Sequence, residues 1–161
     1  MELSINTISL FLAVSITGLS SGLFYAWSVS VIPGTRKVLD SAYLETMQSI
    51  NRAILNPAFF LIFFGSLILL CVTTVLHSGS KQTFWLLLIA AIIYAVGTIG
   101  ITAMGNVPLN KQLDKLSLQE ISSDEISAFR QFYEVKWNRL HFIRTVFAVL
   151  AFLLSVLAVI T

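Results

Sequence analysis

Charge is scarce in this sequence. Asp, Glu, Lys and Arg make up 11 % of 161 residues and hydrophobic residues 57 %, against about 25 % and 45–50 % in a typical globular domain. A water-soluble fold of this length could not bury so much apolar surface, and the remainder would drive aggregation. A basic tract is also missing. The ten Lys and Arg residues are dispersed and the net charge is +2, which excludes the concentrated positive face that nucleic acid demands. The single cysteine, Cys71, rules out an intramolecular disulfide and reads as a small hydrophobe in an apolar run. Two histidines, His77 and His141, are too few for a three-histidine metal site or a bridged haem. Neither a cofactor nor a metal ion is expected.

What the sequence has instead is length without charge. A helix that crosses about 30 Å of hydrocarbon needs roughly 20 predominantly apolar residues. Four stretches meet or approach this, at roughly 3–32, 56–76, 84–104 and 140–160. Lipid offers no hydrogen bonds to the backbone, so each must be helical. The expectation is an all-α, single-domain integral membrane four-helix bundle spanning residues 1–161. The N-terminus has no positive n-region after Met1-Glu2 and no Ala-x-Ala site, so the first run reads as a retained span rather than a signal peptide. Pro33-Gly34 reads as its stop.

Charge placement orients the chain. Every Lys and Arg except Lys81 falls in the segments 33–56 and 105–144, and the positive-inside rule assigns both to the cytoplasm with both termini outside. In a bacterium the membrane would be the cytoplasmic one. Tyr43, Leu44, Met47 and Ile50 have helical spacing leading into the second span. Ser122-Ser123-Asp124-Glu125 has the character of a capped helix start before the fourth. The second and fourth helices are therefore expected to extend on the cytoplasmic side as continuous rods. A faint echo links Pro33 to Asp40 with Pro108 to Asp114, and Ile50-Asn51-Arg52 with Trp137-Asn138-Arg139, as in a parallel two-helix repeat.

Polar groups at membrane depth are costly and mark packed interfaces or sites. Arg130, Glu134, Trp137, Asn138, His141, Arg144 and Thr145 fall within an arc of about 120° on the fourth helix. His141 alone among them titrates near neutrality, which makes it the candidate acid or base; the competing reading is headgroup-level ion pairing. A second cluster is Gln48, Asn51, Arg52 and Asn56 ahead of Pro57, and a third is Thr102, Asn106, Pro108 and Asn110. For both, interhelical hydrogen bonding competes with a role in a site. On the first helix, Gly18, Gly22 and Ala26 form a small-residue face for another helix, a candidate surface for a homo-oligomer. Trp27 reads as an interface anchor, and Tyr25 as a residue that could line a cavity.

Ser21 to Gly34 (SGLFYAWSVSVIPG), Met47 to Pro57 (MQSINRAILNP), Asn106 to Asn110 (NVPLN) and Trp137 to His141 (WNRLH) with Arg144 together resemble, in order and over nearly the whole chain, the anthrone oxygenase-like family of small membrane proteins. Many bacterial members are similar in sequence without an assigned activity. The fungal namesakes are enzymes that oxidise a polyketide anthrone to an anthraquinone with dioxygen, which implies a monooxygenase-type oxidoreductase. The chemistry implied is proton removal from an activated carbon, with a base, donors for the developing oxyanion and an aromatic pocket. On this basis His141 is the expected catalytic base. Tyr25, Gln48, Asn51, Asn56, Asn106, Trp137, Asn138 and Arg144 are the expected substrate-binding residues, and the lipid bilayer and a lipophilic aromatic molecule are the expected partners. The alternative is a non-enzymatic membrane module that binds a lipophilic ligand or a partner membrane protein.

Overall fold

The computed structural model describes residues 4–161; the expectations for Met1-Glu2 and for a span starting at Leu3 lie outside the described residues. Five helices follow one another: α1 (Ile5–Thr35), α2 (Asp40–Ala53), α3 (Pro57–Leu76), α4 (Lys81–Asp114) and α5 (Ser123–Leu157). Of these, α1, α3, α4 and α5 are each long and apolar enough to cross a membrane. They form a four-helix bundle in which α1 packs on α3 and α5, and α4 packs on α3 and α5. Phe11, Leu61, Val75, Val96 and Phe142, each more than 60 % exposed, form an outer surface that only lipid satisfies. The chain is an integral membrane protein.

The fourth span behaves as its sequence implies. Ser122 accepts from the Glu125 amide at 3.3 Å while the Glu125 carboxylate accepts from the Ser122 amide at 2.9 Å, a reciprocal cap. From there α5 runs unbroken for 35 residues. At 1.5 Å per residue that is about 52 Å, well beyond the hydrocarbon thickness, so part of the rod projects out of the membrane.

The second span is not a continuous rod. Its projecting part is a separate helix, α2, and the chain breaks at residues 54–56 before α3 begins. Pro57 has no N–H to continue the α2 ladder, and Asn56 caps the new helix by accepting from the Phe59 amide at 3.0 Å.

Pro33-Gly34 does not stop the first helix, which continues to Thr35. A π-helical segment, Trp27–Val31, precedes the proline, and the Ile32 amide donates to the Trp27 carbonyl five residues back. The widened turn lets the prolyl ring pass without ending the helix. In α4 the same arrangement recurs: Thr102–Asn106 is π-helical, the Val107 amide donates to Thr102, and Pro108 follows. The echo between the halves of the sequence thus has a counterpart in backbone geometry. A further π-helical stretch, Tyr94–Gly100, carries Gly97, where any Cβ would collide with Phe147 of α5.

Two cores stack along the bundle. The membrane core joins Phe24, Phe63, Leu70, Leu87, Tyr94 and Ala148, and the projecting core joins Tyr43, Leu44, Met47, Leu113, Tyr133 and Trp137. Inside the first, the Tyr94 hydroxyl donates to the Phe63 carbonyl at 3.0 Å and so accepts from Ser20 at 2.6 Å. The expected small-residue face is divided. Gly18 lies under Phe152 of the same chain, 3.0 Å from where a Cβ would stand, whereas Gly22 meets nothing within 4 Å.

Candidate functional site

The two cores meet at the cation of Arg144. Its side chain is buried, with 8 % of the residue exposed. Burying a guanidinium is expensive unless its charge and donors are matched. Nε and Nη2 donate to Nδ1 of His141 at 3.2 and 2.9 Å, and Nη1 donates to Thr102 Oγ1 at 3.2 Å. The guanidinium carbon lies 4.7 Å from the Phe24 ring and 5.2 Å from that of Trp137, where the ring faces contribute cation–π attraction. Among the described residues, no carboxylate lies within 4.0 Å of it.

Arginine has no acceptor, so Nδ1 of His141 must be the lone-pair nitrogen. The proton sits on Nε2, which donates toward the Phe24 carbonyl at 3.1 Å and the Ser28 hydroxyl at 3.0 Å. The imidazole is thus the neutral tautomer. It stacks on the Trp137 indole with centroids 5.0 Å apart and planes 6° from parallel, and it is 1 % exposed.

Beside this pair lies a cavity of about 240 Å³. Leu23, Phe24 and Trp27 of α1 wall one side, and the broken α2–α3 junction (Ile54, Leu55, Phe59) another. Trp137, His141 and Arg144 line its depth, with Asn51 and Asn110 also on its surface. Towards the projecting end, Arg52 and Asp114, paired at 2.6 Å and largely exposed, border it. An apolar pocket with few polar groups is the usual form of a small-molecule site.

The residues expected from sequence divide. His141, Arg144, Trp137 and Asn51 come together on the cavity. Tyr25 does not: it is 58 % exposed on the outer face, because it follows Phe24 by one residue and so points about 100° further around α1. Gln48 donates to the Leu113 and Leu116 carbonyls at 2.9 and 3.1 Å, closing the end of α4. Asn56 spends both amide ends on the helix break, accepting from Phe59 and donating to the Ala53 carbonyl at 2.9 Å. Asn138 is half-buried beside the cluster but does not line the cavity. Asn106 is 1 % exposed and donates to the Trp137 carbonyl at 3.3 Å, leaving its buried Oδ1 without a hydrogen-bond partner.

Three contributors were not singled out from the sequence for this site. Phe24 and Trp27 supply aromatic wall, and Tyr133 links Asn51 to Asn110. For Tyr133 the signal was available: 133, 137, 141 and 144 share one helical face. Arg130 and Glu134 belong elsewhere. Arg130 donates to Asp40 at 2.7 Å, to Glu134 at 3.1 Å and to the Val38 carbonyl at 2.7 Å, pinning the end of α1 and the start of α2 to α5. Asp40 is held below the ordinary carboxylate range by the Ser127 hydroxyl and then by the Arg130 guanidinium. Gly18-Leu19-Ser20-Ser21-Gly22 has the Gly-x-Ser-x-Gly spacing, but it lies inside α1 and its Ser20 is bonded to Tyr94. A nucleophile elbow needs a strand-to-helix turn. Among the described residues, no group of three His, Cys, Asp or Glu side chains is placed to hold a metal ion.

Fold and cavity define a small polytopic helical membrane protein with a buried cation turned to an apolar pocket. A profile of the anthrone oxygenase family matches residues 59–154, from α3 into α5, so it includes Asn106, Asn110, Trp137, His141 and Arg144. The chain belongs to the anthrone oxygenase family. Neither the curated proteins nor the solved structures contain a match to it.

Proposed function

We propose that the cavity binds a flat lipophilic aromatic molecule bearing an acidic C–H group, and that the protein oxygenates it without a resident cofactor. The observation that carries this is Arg144: a buried cation with no carboxylate partner among the described residues, facing an aromatic-walled cavity. An oxyanion that develops on the ligand would supply the missing counter-charge.

The sequence of events follows from that geometry. A substrate carbonyl oxygen takes N–H groups of Arg144 and draws them from His141, which frees the Nδ1 lone pair. His141 then removes the proton from the activated methylene carbon, and the electron pair is delocalised onto the oxygen held by Arg144. The carbanion and dioxygen form a C–O bond and, with the proton returned, a hydroperoxide. Loss of the remaining C–H proton and cleavage of the O–O bond leave a carbonyl and one water. One oxygen atom enters the product, the other leaves as water, and the substrate carbon supplies all four electrons.

Anthrone is the first substrate to test, with the protein in nanodiscs and dioxygen uptake as the readout. His141→Gln and Arg144→Gln should each lower the rate by about 100-fold or more, the usual range for a positioned acid–base group. Wild-type rates in both variants would sink the proposal.

One observation favours the second reading, a ligand-binding module without chemistry: the Nδ1 lone pair of His141 is engaged by Arg144. On that reading anthrone-like compounds bind but are not consumed.

We also propose that the cavity opens on the cytoplasmic side, from the nine-to-one distribution of Lys and Arg. A cysteine placed at Ser78 in a Cys71→Ser background should then react with impermeant maleimide from outside intact cells; labelling only after lysis would reverse the orientation.

A further inference from the structure

We propose that Asn51 and Asn110 form a hydroxyl-reading pair at the end of the cavity remote from Arg144, so that the bound molecule is selected at both ends. The inference rests on the reading that the cavity holds a lipophilic ligand, and it adds what that ligand must carry.

An asparagine amide is ambiguous in orientation until its partners decide it. Here one partner does. The indole Nε1–H of Trp137 can only donate, and it lies 2.8 Å from Asn110 Oδ1. That identifies the oxygen. The Tyr133 hydroxyl lies 3.0 Å from the same oxygen, so its one proton points there. Its oxygen is left to accept, and the group that meets it at 3.1 Å is Asn51 Nδ2. The whole chain of bonds is thus directed by a donor that cannot reverse.

What remains is the other half of each amide. Asn110 keeps its NH2 group and Asn51 keeps its carbonyl oxygen, and neither has a protein partner among the described residues. Both residues line the cavity. Tyr133 is buried and saturated, so it aims the amides rather than touching a ligand. One free donor and one free acceptor together complement a hydroxyl, which accepts one hydrogen bond while donating another. Trp137 lies between the two ends, its ring 5.2 Å from the Arg144 guanidinium carbon and its Nε1 2.8 Å from Asn110 Oδ1. An aromatic wall therefore joins the two polar ends, a surface on which fused rings can stack.

The test compares 2-methylanthraquinone with 2-(hydroxymethyl)anthraquinone, which differ by one non-acidic hydroxyl. Binding to the full chain in nanodiscs is followed by quenching of tryptophan fluorescence, since Trp27 and Trp137 line the cavity. The hydroxymethyl compound should bind wild type about 10-fold more tightly, because a site built for a hydroxyl penalises its absence. Asn51→Leu removes the free acceptor and should bring the ratio near one. Asn110→Asp keeps the oxygen that Tyr133 and Trp137 require, removes the donor, and should lower the ratio too. Arg144→Gln should weaken both compounds and leave the ratio unchanged. The ratio within one variant is insensitive to how much of that variant is folded. Equal affinity of wild type for both probes, with Arg144→Gln weakening both, would overturn the hydroxyl-reading pair and leave the ligand-binding reading standing. A ratio retained in both asparagine variants would overturn the pair as well. No binding of either probe to wild type would overturn both.

Discussion

Arg144 holds His141 by its only lone pair. Two guanidinium nitrogens converge on Nδ1 at 3.2 and 2.9 Å, and the pair is sandwiched between Trp137, Phe24 and the cavity. A cation and a neutral base that restrain each other in this way are released together, by any ligand oxygen that competes for the guanidinium.

The geometry makes the charge alone insufficient at this position. Lysine offers a point charge on a flexible stem, without the planar fork that reaches His141 and Thr102 at once. Arg144→Lys should bind anthraquinone probes about 10-fold more weakly, the loss expected for a hydrogen bond to a charged donor. Titration of tryptophan fluorescence measures it, and unchanged affinity would show that position 144 contributes only charge.

Asn56 should prove a cap and not a contact to substrate. Asn56→Ala should lower stability by about 1 kcal/mol, read as a lower melting temperature in detergent, whereas Asn56→Asp should retain it. Neither should alter probe affinity in the folded fraction. A selective loss of binding in Asn56→Asp, with the melting temperature preserved, would return Asn56 to the site.

Gly97 and Gly22 separate packing from surface. A methyl group at 97 would strike Phe147 across the α4–α5 contact, while Gly22 has nothing within 4 Å. Gly97→Ala should cost about 1–3 kcal/mol by overpacking, and Gly22→Ala should be nearly silent in the monomer. A destabilised Gly22→Ala variant, accompanied by a smaller assembly on size exclusion, would reveal a partner helix on that face.

The projecting half should lose stability in acid. Asp40 is depressed below its ordinary value of 3.8 by Ser127 and Arg130, and Glu125 below 4.5 by the Ser122 cap. A carboxyl group with a depressed pKa stabilises the fold above its unfolded value, and that contribution fades as pH falls through the folded value. Melting temperature should therefore be level above about pH 5 and decline below about pH 4. Asp40→Asn with Glu125→Gln should start lower and flatten that decline. An undiminished acid slope in the double variant would assign it to other groups.

Much of this architecture was legible from sequence because lipid leaves few choices. Four apolar runs had to be helices, and the polar stripe of α5 had to face inwards, so His141, Arg144 and Trp137 could be found from periodicity alone. The rest depended on departures from regular helix. Tyr25 was misplaced because one residue of register on α1 separates the cavity wall, where Phe24 stands, from the outer face. Asn56 and Gln48 looked like site residues because capping a helix break and donating to a helix end call for the same amide chemistry as holding a ligand. The link from Asn51 through Tyr133 to Asn110 was hidden for a different reason: it joins three helices whose relative rotation no single-helix pattern reports.

A π turn is an α-helix carrying one residue too many, and it rotates everything beyond it by about 100°. Asn110 reaches the cavity from beyond the turn at Thr102–Asn106, and the Pro33 end of α1 lies beyond the matching turn at Trp27–Val31. Relaxing Thr102–Asn106 to a plain helix without losing a residue would swing Asn110 away from Trp137 and Tyr133, whereas deleting one residue there would keep it aimed. Asn110 is therefore aimed into the pocket by helix register within α4.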